Sequence, residues 1–557
     1  MRLLSLKLDG QYKGLKNQYF DFHCTQGNIV ALIGLNGSGK SQLLEVIAEV
    51  FAFLERCQRD DFVVRTPLGF GFELVYEIAK EDLLGNICNA TFRFELGESA
   101  YFPQSFEEDE GDWKPISMED TVLPYIVGYS SGLNENLQRS FMKNAVQYFE
   151  VQRIRLKYMK EFRAAANGVL RNEVNKKYSD KYPHAFSSEA DLTNGFDDFT
   201  PLSHAAIQTS KSIYLDYDSA GLVLASLAIL PAQDVERLFS EVMFKYPVSV
   251  TLQYDLRGGV TDEADASRDI KRLISIAGPG QFKPVGRSTT EEQFDLYDLE
   301  YLAGDITLDL ANPNVVSALR EANYGDPIAF FNRLYKLQQL GIKKWQYSSR
   351  LQLQKDNFQG TVKKPLKTKL PLSVSELILS DGQGRTVCLD DLSDGEAQLI
   401  EALAVTRIFS AERTLFLFDE PETHLNPSWR TYFHSHLSKA MVPSGNREAQ
   451  AQVFLSTHSP FMVSSLKKED VLFFERDDEG LIKMEPVGSQ TYGASFEVLI
   501  KNHFGLRSLI SQTVVEAVKE YLPKDERPES LAAAREWIEE NLGDSMEKAY
   551  LLRKLQS

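Results

Sequence analysis

The residues Gly34-Leu35-Asn36-Gly37-Ser38-Gly39-Lys40-Ser41 satisfy the pattern GxxxxGK[ST], with a further glycine at position 37. Glycines at those positions let a loop wrap until its N–H groups converge on phosphate oxygens. A helix beginning near Lys40 adds its positive end, the Lys40 ammonium can reach the outer phosphates of a nucleoside triphosphate, and the Ser41 hydroxyl can ligate Mg²⁺. Gln42, directly after, joins the nucleotide-binding candidates. Far along the chain, the apolar run Thr414–Phe418 ends in Asp419-Glu420. Behind a phosphate loop, an acidic pair at a strand end can divide the work of hydrolysis. Asp419 can hold the metal while Glu420 orients and deprotonates an attacking water. ATP and Mg²⁺ are therefore the expected cofactors, and ATP hydrolysis the expected reaction. His458, in FLSTHSPF after another apolar run, falls where α/β sheets bind ligands.

The elements that must position these residues are legible. Residues 28 to 33 (NIVALI), 414 to 418 (TLFLF) and 452 to 456 (QVFLS) read as strands buried on both faces. Leu43, Leu44, Ile47, Val50, Phe51 and Leu54 recur at helical spacing after the glycine loop. Residues 3 to 9 and 18 to 23 alternate as two short strands, and 70 to 97 as two more, forming an antiparallel flap. SELILSDGQGRTVCLDDL, from Ser375, reads as a hairpin. The fold class is α/β, with a sheet assembled from both ends of the chain. Four parts are expected: 1–145 and 371–485 as the two parts of the head, 146–370 as a mostly helical insertion, and 486–557 as a helical tail. Helix-like spacing marks 219 to 243 and 314 to 341, and no sustained heptads appear across the insertion.

Composition narrows the setting. The 557 residues are 43% hydrophobic and 25% charged, as in ordinary globular chains. Four dispersed cysteines form no CxxC pair, which argues against a zinc site and for a reducing, cytoplasmic location. No apolar run is long enough to span a bilayer, so no membrane partner is expected. The net charge of −18 disfavours a surface coated with nucleic acid, yet Arg153 to Lys181 and Arg333 to Lys369 are basic stretches. The second interleaves lysines and arginines with aromatics. Lys343, Lys344, Trp345, Tyr347 and Arg350 are candidates for a backbone-tracking, base-stacking surface. A solvated helix face with core aromatics explains the same pattern equally well.

Leu392-Ser-Asp-Gly-Glu-Ala-Gln398 resembles the signature motif of ABC-type ATPases, departing from LSGGQ at Asp394 and Glu396. The resemblance implies that Ser393, Asp394, Gly395 and Glu396 contact the γ-phosphate held by a facing subunit. Ser393 with Glu396 also fits a helix capping box, and both readings can hold at once. The same resemblance makes His458 a switch histidine that senses the γ-phosphate. It makes Thr423-His-Leu-Asn-Pro427 the interface-crossing D-loop, with His424 and Asn426 as its candidates. The glutamine of the Q-loop has no sure counterpart: Gln104 and Ser130 both follow apolar runs, and Tyr125–Tyr129 is the favoured structural equivalent.

The long gap between Ser41 and Leu392 separates the chain from transporters, and the absence of heptads separates it from the coiled-coil repair and SMC proteins. FDEPETHLNP with STHSPF is similar to the compact OLD nucleases, RecF-like proteins and relatives in phage defence. No strand leading into DxD follows His458, so a Toprim nuclease is not expected. Together with GLNGSGKSQLLE, YSSGLNE and LSDGEAQ, these motifs most resemble the PtuA-type ATPases of Septu and retron defence systems. That resemblance implies a homodimer or higher even oligomer and an HNH nuclease partner of the PtuB type. In retrons it adds a reverse transcriptase with RNA-linked single-stranded DNA. The alternative is a RecF-like repair or recombination ATPase that binds duplex DNA itself.

Overall fold

Strands apolar at every position have no face to offer water, and here they form the middle of a seven-stranded sheet. The computed structural model describes residues 1–59, 64, 66–81, 86–130, 135–182, 210–257, 264–286, 288–291, 293–294, 298–362, 369–410, 413–442, 451–505, 511–522 and 527–555. In chain order the strands are β1 (Arg2–Tyr12), β2 (Leu15–Asp21), β3 (Ile29–Gly34), β4 (Gly71–Glu81), β5 (Ile87–Leu96), β6 (Gln104–Asp109), β7 (Asp112–Ile116), β8 (Tyr125–Ser130) and β9 (Ser212–Leu215). They continue as β10 (Tyr246–Asp255), β11 (Phe282–Pro284), β12 (Ala303–Asp309), β13 (Leu372–Ser380), β14 (Thr386–Cys388), β15 (Thr414–Asp419), β16 (Gln452–Ser456), β17 (Val471–Arg476) and β18 (Ile482–Pro486).

The central sheet runs β18-β17-β3-β16-β15-β8-β9. Every pairing is parallel except β17 with β18. Every residue of β3, β15 and β16 is buried. Asp419 pairs in register with Ser456 on one side and Ser130 on the other, and Gly34 pairs with Phe474. The carboxyl ends of β3, β8, β15 and β16 thus share one edge, where ligands of open α/β sheets bind.

Two antiparallel sheets accompany it, ordered β2-β1-β4-β5-β6-β7 and β11-β12-β10-β13-β14. The flap expected over 70 to 97 is the β4–β5 pair, extended on both sides. Residues 82–85, between β4 and β5, and residues 186–200 lie outside the described residues. Within the insertion, helices Tyr217–Ser226, Pro313–Ala322 and Pro327–Gln339 fall on the stretches of helical spacing. The insertion also supplies strands that its composition concealed. β9 closes one edge of the central sheet, while β10 pairs with β13 of the hairpin and β12 and β11 extend that sheet beyond β10. β10 opens on Tyr246-Pro247, and β12 carries Gly304 and Asp305, residues that weaken a strand signal.

The helix that follows the glycine loop, α1 (Lys40–Cys57), is joined to α2 (Glu135–Ala164) by buried charges. Glu45 accepts from Lys13, Arg139 and the Tyr12 hydroxyl. Glu49 holds Lys143 at 2.6 Å, and Arg56 holds Asp356 at 2.9 Å. Lys143 and Gln147 also bond Asp356, which draws residues 353 to 356 onto both helices. The chain divides into two compact units, Met1–Tyr492 and Gly493–Ser557. The helices of Gly493–Ser557 include Pro528–Asn541, and Trp537 stacks on Tyr521 with ring centres 4.4 Å apart.

Candidate nucleotide-binding site

Only glycine adopts a φ between about +20° and +160° without strain, and Gly34, Gly37 and Gly39 lie at +141°, +77° and +104°. A side chain on Gly39 would run into Ile482 of β18, and one on Gly34 into the Phe474 carbonyl. The loop is therefore shaped from below by the β17–β18 hairpin. Arg476 completes the brace, its Nε donating to the Gly37 carbonyl at 2.6 Å and its Nη1 to Gly480 at 2.6 Å. Gln42 does structural work as well, accepting the Gly14 N–H at 2.9 Å and tying the β1–β2 turn to α1. Leu35 is more than half exposed, Ser38 is buried, and the backbone of Asn36 lies between Leu35 and Gly37 in the loop.

The residues present suit a bound triphosphate and its metal. The Ser38 hydroxyl is buried and, among the described residues, has no hydrogen-bond partner. Lys40 turns back onto the carbonyls of Gly34 and Leu35 at 3.0 and 3.1 Å, satisfying in part an ammonium that phosphates would satisfy better. Burial pushes Lys40 down to about 8, against the opposite pull of Glu420 and Asp419. Ser41 Oγ donates to Asp419 Oδ1 at 2.8 Å, so the two candidate metal ligands meet across 378 residues of chain. Mg²⁺, bound there, would supply the charge that neutralises phosphate oxygens.

Glu420 has φ +50°, a left-handed conformation that costs a bulky residue about 1 kcal/mol or more. Two bonds from its N–H, to the Ser456 carbonyl at 3.2 Å and the Ser456 hydroxyl at 3.1 Å, hold it there. Glu420 Oε1 lies 3.5 Å from His458 Nε2. Burial, and then Lys40, keep His458 below its ordinary range despite Glu420 and Asp419. The neutral imidazole is the form such a site presents at neutral pH.

The signature residues lie at the start of the helix Asp394–Phe409. Ser393 caps that helix, and both halves of the capping box are present. Glu396 Oε2 accepts from the Ser393 hydroxyl at 2.8 Å. Gly395 packs against the His424 carbonyl so closely that a Cβ would stand 2.8 Å from it. Gln398 Oε1 accepts the His424 N–H at 2.8 Å. Asn426 accepts the Trp429 N–H at 2.9 Å and caps the helix Pro427–Met441. Signature and D-loop candidates are thus one packed unit, with Ser393 and Asp394 exposed on its outside.

Of the two Q-loop candidates, Gln104 opens β6 in the antiparallel flap, paired with Glu95 and exposed. Ser130 ends β8 beside Asp419, and residues 131–134 lie outside the described residues. In the basic stretch, Arg333 is paired to Asp269, and Tyr335 is half-buried with its hydroxyl donating to the Tyr214 carbonyl at 3.2 Å. Lys344 and Tyr347 are exposed, Trp345 and Arg350 are half-buried, and the Arg350 guanidinium lies 5.8 Å from the Tyr347 ring. The Lys343 side chain lies outside the described residues. Sequence reasoning missed Arg476, Ile482, Ser456 and the pair Thr457–Glu422. The last three lie within LSTHSP and DEPE, but Ser, Thr and a second Glu there carry no spacing signal of their own.

Residues 263–464 match the family described as "AAA domain, putative AbiEii toxin, Type IV TA system". That span includes the signature, Asp419-Glu420 and His458, and stops short of the glycine loop on its amino-terminal side. Among curated proteins none matches the chain in sequence. Among solved structures it is similar to the SMC head bound to the C-winged helix domain of ScpA, at 11% identity and a TM-score of 0.31, over 87% of this chain and 98% of that one. The sheet order, the glycine loop and the family match make the head a P-loop ATPase fold of the ABC/AAA type. No helix among the described residues is long and apolar enough to cross a membrane.

Proposed function

We propose that this chain is an ATP-hydrolysing ABC-type subunit of an anti-phage defence complex, whose ATP-driven dimerisation controls a partner HNH nuclease. The observation that carries the ATPase part is the meeting of Ser41 with Asp419 and of Glu420 with His458 at one sheet edge. Lys40 and the loop N–H groups bind the phosphates, Ser41 and Asp419 hold Mg²⁺, and Glu420 takes the proton of the attacking water while His458 positions it. The exposed Ser393 and Asp394, remote in sequence from the glycine loop, support a site completed by a second copy. The family description, which names a toxin of a type IV toxin–antitoxin system, supports a defensive setting. The nuclease, and a reverse transcriptase with its RNA-linked DNA in a retron, enter on the motif resemblance alone.

ATP turnover and light scattering of the purified chain test this directly. Turnover by the wild type, none by Lys40→Ala, and an ATP-trapped dimer of Glu420→Gln support the reading. A monomer at saturating ATP in Glu420→Gln would sink the composite site. Tight ATP-dependent binding of duplex DNA by the lone chain would favour a repair ATPase instead.

A further inference from the structure

Glu422 is buried two residues past the proposed base, and the reaction above gives it no part. Its Oε1 accepts a hydrogen bond from the Thr457 hydroxyl, while Oε2 is buried with no partner. Thr457 belongs to the loop of His458, and its own N–H bonds the Leu32 carbonyl of β3, the strand that runs into the glycine loop. Thr457 Oγ1 in turn accepts the Ser459 N–H at 2.9 Å, so the loop on both sides of His458 is referred to this one hydroxyl. On the other side, the Glu422 carbonyl accepts the Leu425 N–H and shapes the turn that carries His424. His424 is the residue held by Gln398 and packed on Gly395 of the signature helix. Arg430 closes the turn by donating to the Thr423 carbonyl at 2.6 Å.

We infer that Glu422 is a positioning residue. Through Thr457 it joins the His458 loop to the turn of His424 and so to the signature helix, passing the state of one nucleotide site to the signature that serves the facing subunit. The inference rests on the composite-site reading, because only there does a chain's own signature serve another chain's nucleotide. A carboxyl is suited to the task by geometry. Its two oxygens leave from one planar group, and both it and Thr457 are buried from bulk solvent, so a shift of Thr457 is felt by the carboxyl directly. The neighbouring Pro421 keeps the chain between Glu420 and Glu422 stiff.

Hydrogen exchange of the full chain without nucleotide, and steady-state ATP turnover, test this with Glu422→Ala, Glu422→Gln and Thr457→Val. The glutamine amide still offers an oxygen to Thr457. Thr457→Val removes the hydroxyl at nearly constant volume and serves if the alanine variant does not fold. In Glu422→Ala and Thr457→Val, exchange should rise about tenfold at 423–426, 457–459 and 393–398 together, with 34–41 unchanged, and Glu422→Gln should restore it. Turnover should fall about tenfold with KM for ATP within about twofold, again with rescue by glutamine. A rise confined to 423–426, or a glutamine variant as impaired as alanine, would overturn the inference. A wild type that does not hydrolyse ATP would instead refute the ATPase reading, while the exchange pattern would still decide whether Glu422 couples the loops.

Discussion

The Lys143–Glu49 pair offers a sharp test of what holds α1, and with it Lys40 and Ser41, in place. The two charges lie 2.6 Å apart with 0% and 1% of their side chains exposed. Burial holds the Lys143 ammonium below its ordinary range, with Glu49 pulling the other way, so the pair sits in a costly environment that only mutual contact makes tolerable. Lys143→Met leaves Glu49 buried and unpaired, with Oε2 already lacking a partner, and also empties the bond to the Asp356 carbonyl. Such stranding costs about 3–5 kcal/mol. Glu49→Leu strands Lys143 at similar cost. The double variant removes both charges and should return to within about 1 kcal/mol of the wild type. Urea unfolding of the four chains, followed by far-ultraviolet circular dichroism through the first transition, gives the cycle. ATP binding by the double variant checks that α1 is undisturbed. Single variants that each lose under about 1 kcal/mol, or a double variant that loses their sum, would refute the reasoning.

Other expectations follow from the site. Burial pushes Glu422 up to about 7 in the folded chain, against an ordinary value of 4.5. The folded state therefore binds the extra proton, and stability is lost as pH rises from about 4.5 to 7, by up to roughly 3 kcal/mol; Glu422→Gln should flatten melting temperature over that window. With Lys40 at about 8, ATP affinity should weaken above that pH by at most about tenfold per unit, and calorimetry in buffers of different ionisation enthalpy should show proton uptake on binding. Asn426→Ala removes the cap of Pro427–Met441 and should cost about 1 kcal/mol in urea unfolding, with ATP affinity of the isolated subunit unchanged.

Much of the head was legible because its strands are buried on both faces and its motifs sit at their ends. β3, β15 and β16 announce themselves by their apolar centres, and the acidic pair and His458 follow directly. The capping box at Ser393 and Glu396 was legible for the same local reason. What was not legible depends on pairing across hundreds of residues. Nothing in GLIKMEP says that Ile482 lies under Gly39. Nor does FFERDD say that Arg476 bonds Gly37, since a strand's partner is not written in its own residues. β10 and β12 were hidden because proline, glycine and aspartate interrupt their alternation. Gln104 stood beside Ser130 as a candidate because a glutamine after an apolar run looks alike in a flap strand and in a parallel one.

The order of the central strands has a consequence for how the chain is made. β3 lies between β16 and β17, so both of its edges wait for residues beyond 450, and Gly34 finds Phe474 only after 440 more residues have been added. At about 5–20 residues per second, a ribosome needs roughly 20 to 90 s to deliver them. Through that interval a six-residue strand with no polar side chain has neither neighbour, the kind of segment that pairs with other nascent chains. Cellular yield of this protein should therefore respond to holding chaperones and to translation speed more than to the stability of the finished fold.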